Sequence, residues 1–569
     1  MVHKRQNAGR CGAPLLIMLA LFGAGCGGDG SSSSSADADI GPAPSDRLRT
    51  VLTQAGDSGA VVQLVEGDTL RISESTLSFY RRLRFTPAWS VNGEPTRQAH
   101  AVHEAIGRAH ADGLEPAAYA HDLAERVLAL LQAEDEDGDP AVADSLRGAF
   151  LADLDLVLSE GYMRFATDIA RGTIDPELVG RAWRIPRPDA PTEAVLRSAV
   201  RGDPAQIVER MRPTSTQYAR LMTGLAKLRQ VQQAGGWQAL PEGTAVAEGD
   251  SSSAVLAVRA RLVASDDPRE AALARRGESR PAVYDRDLHD ALRHFQARHA
   301  LADDGQLGGA TLQELNHTAE ERISEVRLNL DRWRWLPRDL GELYIMVNIA
   351  GFELEVVENN RPIEAMNVVV GMPGWTTPVF ADTMEHLVVN PYWTPPESIL
   401  KDEILPAIAR DPGYLERNNF ERTSNGTIRQ RPGRGNALGD YKFIFPNEDN
   451  IYLHDTPADH LFSRTRRDFS HGCIRVERPA DLARLVLAKS TSHSPASLEG
   501  IRATGTEKWI PLKRQIPVYI VYFTTWAKED GTLRFHHDVY GHDRDLDDVH
   551  GEWTDPRADR VAVGAPADR

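Results

Sequence analysis

The 569-residue chain has three cysteines, Cys11, Cys26 and Cys473, and only Cys473 lies outside an N-terminal export segment. It sits in Phe469-Ser470-His471-Gly472-Cys473-Ile474-Arg475-Val476. A thiol becomes a nucleophile when a base takes its proton, donors receive the oxyanion and its pKa falls from about 8.5. His454, at the end of the strand-like Ile451-Tyr452-Leu453, is the candidate base. Gly472 permits close backbone approach, so the amides of Gly472 and Cys473 are candidate oxyanion donors. Arg475 either favours the thiolate or pairs with Glu477 or Asp481. His471 either supports the oxyanion or packs the loop, and Ser470 completes that flank. An isolated cysteine is otherwise a small buried apolar residue; the histidine at strand spacing and the Ser-His-Gly flank argue for chemistry instead. Cys473, His454 and His471 fall short of the ligands a zinc site needs, so no metal is expected there.

The elements that must position these groups read as β-structure. Leu343, Ile345, Val347 and Ile349 alternate with Tyr344, Met346 and Asn348, and further strands are expected over 352–357, 367–370, 385–390, 451–454, 518–523 and 532–535. Leu482, Leu485 and Val486 predict a helix from Pro479. This defines a mostly antiparallel β domain with a few helices over 328–545. The long Arg-, Asn- and Gly-rich stretch 410–434 is a candidate lid. Tyr392, Trp393 and Phe443 either line a groove or pack.

Upstream, 47–245 reads as a helical domain with stripes such as Leu123, Val127, Leu130 and Leu131. Its histidines His100, His103, His110 and His121 are expected on solvated helix faces rather than at a metal. A small three-helix module follows over 246–318, carried by Val255, Val258 and Leu262, then Leu288, Ala291, Leu292 and Phe295, then Thr311, Leu312 and Leu315. The fold class is therefore multi-domain α+β.

At the N-terminus, basic Lys4, Arg5 and Arg10 precede the apolar Ala13–Ala24, shorter than the ~20 residues a bilayer span needs, which reads as a signal over 1–26. Gly23-Ala24-Gly25-Cys26 suits lipidation of Cys26, with an unlipidated secretory signal as the alternative. Residues 27–46 read as a polar tether and 546–569 as a frayed tail. A formal net charge of -17 argues against nucleic acid as a partner.

Tyr452-Leu453-His454-Asp455-Thr456-Pro457 with Ser470-His471-Gly472-Cys473-Ile474-Arg475-Val476 resembles the signature of L,D-transpeptidases with a YkuD-type catalytic domain. Asn390-Pro391-Tyr392-Trp393-Thr394-Pro395-Pro396 and Pro432–Gly439 extend the likeness. The helical domain and a module similar to the peptidoglycan-binding type place the chain with the large multi-domain branch. The resemblance implies a Cys473 nucleophile, a His454 base, oxyanion amides at Gly472 and Cys473, and groove residues Tyr392, Trp393 and Asn436. It also implies peptidoglycan stems and glycan as partners, no metal or organic cofactor, and 3→3 cross-linking through a thioester, while the N-terminal segment implies an exported, periplasmic protein with a lipid anchor at Cys26. Water as acceptor would make it an L,D-carboxypeptidase; an inactive wall-binding lipoprotein is the rival. Asp455 stands where smaller branches often have Gly or Ser, so the group orienting His454 is open between a side chain and a backbone carbonyl.

Overall fold

The computed structural model describes residues 43–546 except 57–60, 134–139, 177–182, 278, 491–493 and 495. The expected signal, the lipidation site Cys26 and nearly all of the expected tail lie outside the described residues. Pro44, Ser45 and Asp46, read as the end of a tether, instead open a helix over Pro44–Ala55. No helix among the described residues is long and apolar enough to cross a membrane.

The helical domain is organised by the 32-residue helix Pro140–Arg171. Every residue from Leu151 to Met163 is buried, as befits a helix packed on every side. The acids it buries are all hydrogen-bonded: Asp153 by Arg47 and the Val65 amide, Asp155 by Tyr80 and the Ala88 amide, Glu160 by Ser73. The later helix Thr216–Gln233 leaves this core. Tyr218, Leu221, Leu225 and Leu228 pack instead with Val326, Leu330 and Trp333 of the helix Ala319–Trp335 and with the β domain.

The module over 246–318 holds helices Ser253–Val263, Arg286–Arg298 and Gly309–Asn316. The charged stretch between the first two forms a further helix, Pro268–Arg276, capped by the Asp267 carboxylate and burying Glu270, Ala271 and Ala274. Its sequence carries little sign of it because its buried face is mostly alanine and one glutamate, which Arg298 neutralises and His294 contacts at 3.2 Å. A hairpin of the β domain, Thr525–Ala527 with Leu533–Phe535, meets both neighbours. Phe535 stacks on His299 of the module at 5.1 Å, and Leu533 packs against Gly224 of the helical domain.

Nine strands form the main sheet, in the spatial order 468–470, 361–371, 474–476, 453–454, 441–444, 380–389, 508–521, 343–348, 353–358. Strand 361–371 also pairs with 353–358, so eight of the nine close into a ring, which removes exposed edges. Three pairs are parallel: 453–454 with 474–476, 468–470 with 361–371, and 508–521 with 343–348. The remaining pairs are antiparallel, and the expected helix runs from Pro479 to Ser490.

Alternation sets the two faces of this sheet. Ile510, Leu387, Phe443, Leu453 and Ile474 are register partners across five strands and are all fully buried. The next residue on each strand therefore points the other way: Trp509, Val388, Lys442, His454 and Arg475 form a second row on the opposite face.

Candidate active site

Cys473 immediately precedes strand 474–476, two residues before Arg475, and so projects from the same face as Arg475 and its register partner His454. Tyr452 occupies the equivalent place on the neighbouring strand, and the Ile474 amide donates to its carbonyl at 3.1 Å. Cys473 and His454 are thus diagonal neighbours on that face. Leu453 and Ile474 hold this arrangement from behind by burial in the core.

His454 is buried, and its Nδ1 lies 2.5 Å from the carbonyl oxygen of Asp455. A carbonyl only accepts, so Nδ1 carries the proton and Nε2 presents a lone pair. Burial, followed by the Arg475 charge, pushes the imidazole pKa down to about 3. The orienting group is therefore backbone. The Asp455 carboxylate is spent elsewhere, accepting from the Asp440 amide at 2.7 Å and the Thr456 amide at 2.6 Å.

Cys473 is half-buried, with its sulfur 3.8 Å from the carbonyl of Asn450. Burial pushes the thiol pKa up, outweighing hydrogen bonds from Tyr452 and the charges of Lys442 and Arg475 that pull it down. The expected fall in the thiol pKa is corrected: Arg475 contributes in the expected sense, but desolvation wins. Arg475 pairs with neither Glu477 nor Asp481. Glu477 accepts from Asn367, and Asp481 pairs with Arg484.

The Ser-His-Gly turn is also more committed than its sequence suggests. Ser470 Oγ donates to the Cys473 carbonyl at 2.6 Å and accepts from the Gly472 amide at 3.1 Å. The Gly472 amide is thereby removed as an oxyanion donor, whereas the Cys473 amide has no partner among the described residues. Gly472 has φ +109°, a backbone conformation suited to glycine. Its carbonyl accepts from Thr377 Oγ1 at 2.7 Å, and Thr377 is fixed in turn by the Gly371 amide and the Tyr540 hydroxyl. Thr377 and Tyr540 carry no local sequence signal of this role. The His471 side chain points outward, edge-on to Trp375 and 3.5 Å from Glu403.

Of the expected groove residues, Asn436 is fully buried and donates to the Pro391 and Arg431 carbonyls, so it shapes the loop rather than meeting a ligand. Trp393 is bridged to Gln430 and packs in a separate apolar cluster with Ile404, Phe420 and Ile428. That cluster gives the expected lid stretch its own small core, and the element begins earlier than expected, at the helical turns from Glu397 to Arg410. Tyr392 stands under Arg429, with the guanidinium 3.8 Å from the ring centre.

Sequence reasoning passed over Lys442 and Tyr452. Lys442 Nζ stands 3.8 Å from the centre of the Tyr452 ring, and that ring is 5.6 Å from His454.

Residues 342–520 match the L,D-transpeptidase catalytic domain family, YkuD, and residues 74–225 match a scaffold domain family. The chain carries a YkuD-type L,D-transpeptidase catalytic domain. It is 30% identical over 279 residues to a Haemophilus influenzae protein named as an L,D-transpeptidase, spanning 45% of this chain and 56% of that protein, so the chain covers about half the length of this relative. Among solved structures it is similar to an L,D-transpeptidase from Mycobacterium smegmatis (15% identity, 32% of this chain and 58% of that one, TM-score 0.16). Another is the L,D-transpeptidase of Xylanimonas cellulosilytica (16% identity, 49% and 99%, TM-score 0.15).

Outside the transpeptidase domain, two groups among the described residues have metal-like composition. His121, Asp122 and Glu125 bring ligand atoms together, and the His121 ring stacks on His103 with centroids 4.1 Å apart, so these two histidines are half-buried and paired rather than freely solvated. His100 and His110 are exposed, as expected. Asp267, Glu270 and His294 form the second group. Arg298 already neutralises Glu270 at 2.8 Å, which marks it as an ion-pair network.

Proposed function

We propose that the chain is an L,D-transpeptidase that forms 3→3 cross-links between peptidoglycan stem peptides through a thioester on Cys473. The observation that carries this reading is the shared sheet face of Cys473 and a His454 whose Nδ1 is held by a carbonyl, leaving Nε2 free to accept. With both groups neutral at rest, the proton moves only when a donor stem is in place. The thiol proton passes to His454 Nε2 as sulfur bonds to the carbonyl of the third stem residue, a diamino acid. The oxyanion points to the Cys473 amide. The C–N bond then breaks, and the imidazolium gives its proton to the amine of the departing D-Ala. The side-chain amine of a second stem attacks the thioester, passes a proton to His454, and the thiolate leaves and is reprotonated. Water in place of that amine gives a tripeptide and a carboxypeptidase.

The helical turns and hairpin over 397–430 serve as the lid, with Glu403 near His471 as a contact to the nucleophile loop. The module over 246–318 binds glycan, Cys26 carries the lipid, and the enzyme acts in the periplasm. An inactive wall-binding lipoprotein would have no use for the retained pairing of Cys473 with His454. Incubation with purified disaccharide tetrapeptide, followed by mass spectrometry, separates the readings. A dimer lighter by one D-Ala supports cross-linking, tripeptide alone supports trimming, and unchanged substrate supports the wall-binding protein.

A further inference from the structure

The row that carries His454 also carries two cations. Lys442 is its register partner on one side and Arg475 on the other. Neither makes an ion pair among the described residues. Glu507, the acid that acts on Lys442, has its Oε1 engaged by the Tyr392 amide at 2.9 Å, and Glu477 and Asp481 are occupied by Asn367 and Arg484. Lys442 is half-buried, and its ammonium lies against the face of Tyr452. Burial lowers its pKa and that of Arg475, which measures what each loses by leaving water. Partly desolvated charges are costly unless an opposite charge meets them. That two such cations flank the imidazole in a chain of net charge -17 makes the floor of this site a local anion trap.

We propose that Lys442 binds the terminal carboxylate of the donor stem, the one on the residue that leaves, and so sets the scissile carbonyl against Cys473. The assignment rests on the transpeptidase reading and goes beyond it by saying how a donor ending in a free acid is selected. Lys442 and Cys473 lie on opposite sides of Tyr452 and His454, so a stem with its terminal carboxylate at Lys442 runs over the imidazole toward the sulfur. Tyr452 holds the ammonium in place through its ring face, and Arg475 is left for charge that develops beside Cys473.

The test uses the full chain with two tetrapeptide donors, one ending in a free carboxylate and one in a carboxamide, and compares wild type with K442M and K442R. Release of the terminal residue is followed for each. Wild type is expected to favour the free acid by roughly tenfold in kcat/KM, mainly through KM, as a charge-assisted contact would give. K442M should process both donors alike, and K442R should restore most of the preference. Dissociation constants of the same donors from C473A and from C473A/K442M repeat the comparison without turnover. Retention of the wild-type preference by K442M overturns the assignment while leaving the transpeptidase reading intact. Turnover of neither donor by wild type overturns both. A third donor, amidated on the side-chain carboxylate of its diamino acid, should show no dependence on Lys442; if K442M changes the response to that donor alone, the carboxylate has been misassigned.

Discussion

Cys473 and His454 occupy one face of the sheet on adjacent parallel strands, yet no hydrogen bond joins them: the thiol points to the Asn450 carbonyl at 3.8 Å and the imidazole to the Asp455 carbonyl at 2.5 Å. On the transpeptidase reading, the resting site is an unlatched pair of neutral groups, and proton transfer waits for substrate to displace the Asn450 contact. Catalytic contacts often tighten only in the substrate complex. H454N keeps the Nδ1-side contact through its amide but loses the acceptor at Nε2. It is expected to lower the acylation rate by about 10²–10⁴ with little change in thermal midpoint. Stopped acylation time courses beside a melt check this.

The Asp455 carboxylate braces the loop without orienting the histidine. D455N keeps the Asp455 carbonyl and one acceptor oxygen, so kcat should stay within a few-fold of wild type. D455A leaves the Asp440 and Thr456 amides without their acceptor and should cost about 1–3 kcal/mol in denaturant unfolding. A large kcat loss in D455N at unchanged stability would instead assign the carboxylate a direct role.

Ser470 ties the turn at both ends. S470A leaves the buried Gly472 amide unpaired and is expected to destabilise by about 1–3 kcal/mol. It also loosens the Cys473 amide, so acylation should slow while donor affinity holds. G472A places a side chain at φ +109° with its Cβ 3.3 Å from Ile451, and should lose activity more than stability. Titration calorimetry with a C473A background and rapid-quench acylation separate affinity from rate.

The pH dependence follows from two shifts of opposite sign. His454 has a folded pKa pushed down to about 3, below its ordinary 6.5, so the unfolded chain binds the extra proton first. Its contribution to stability is complete above about pH 6.5 and is lost progressively as pH falls toward 3. Cys473 has a folded pKa raised above its ordinary value, so its contribution is present below that value and lost as pH rises through the folded one. H454N should flatten the acid side of the unfolding free energy against pH, and C473A the alkaline side. Alkylation of Cys473 in the resting enzyme should be slower than that of a free thiol near neutral pH and rise with alkalinity.

What the sequence disclosed and what it hid divide along physical lines. Alternation over Leu343–Ile349 and the stripe after Pro479 are local patterns, and both elements form as expected. Cys473, His454 and Arg475 stood out because a lone thiol, a strand-end histidine and a Gly-flanked turn are rare together. The parallel pairing of 453–454 with 474–476 is non-local and involves a two-residue strand, so no periodicity could announce it. The loss of the Gly472 amide to Ser470 depends on one rotamer. Thr377 meets the Gly472 carbonyl from 95 positions away, Tyr540 braces Thr377 from 163 positions away, and Lys442 looked like any polar residue on an alternating strand. The rise in thiol pKa reflects burial, which composition around Cys473 did not reveal.

The most direct test of the central claim is the mass of the enzyme itself during turnover. With a tetrapeptide donor and no acceptor, wild type is expected to gain the mass of the stem minus D-Ala, and peptide mapping should place that gain on Cys473, with none in C473A. Release of D-Ala by C473A at the wild-type rate, or an adduct on any other residue, would contradict the account.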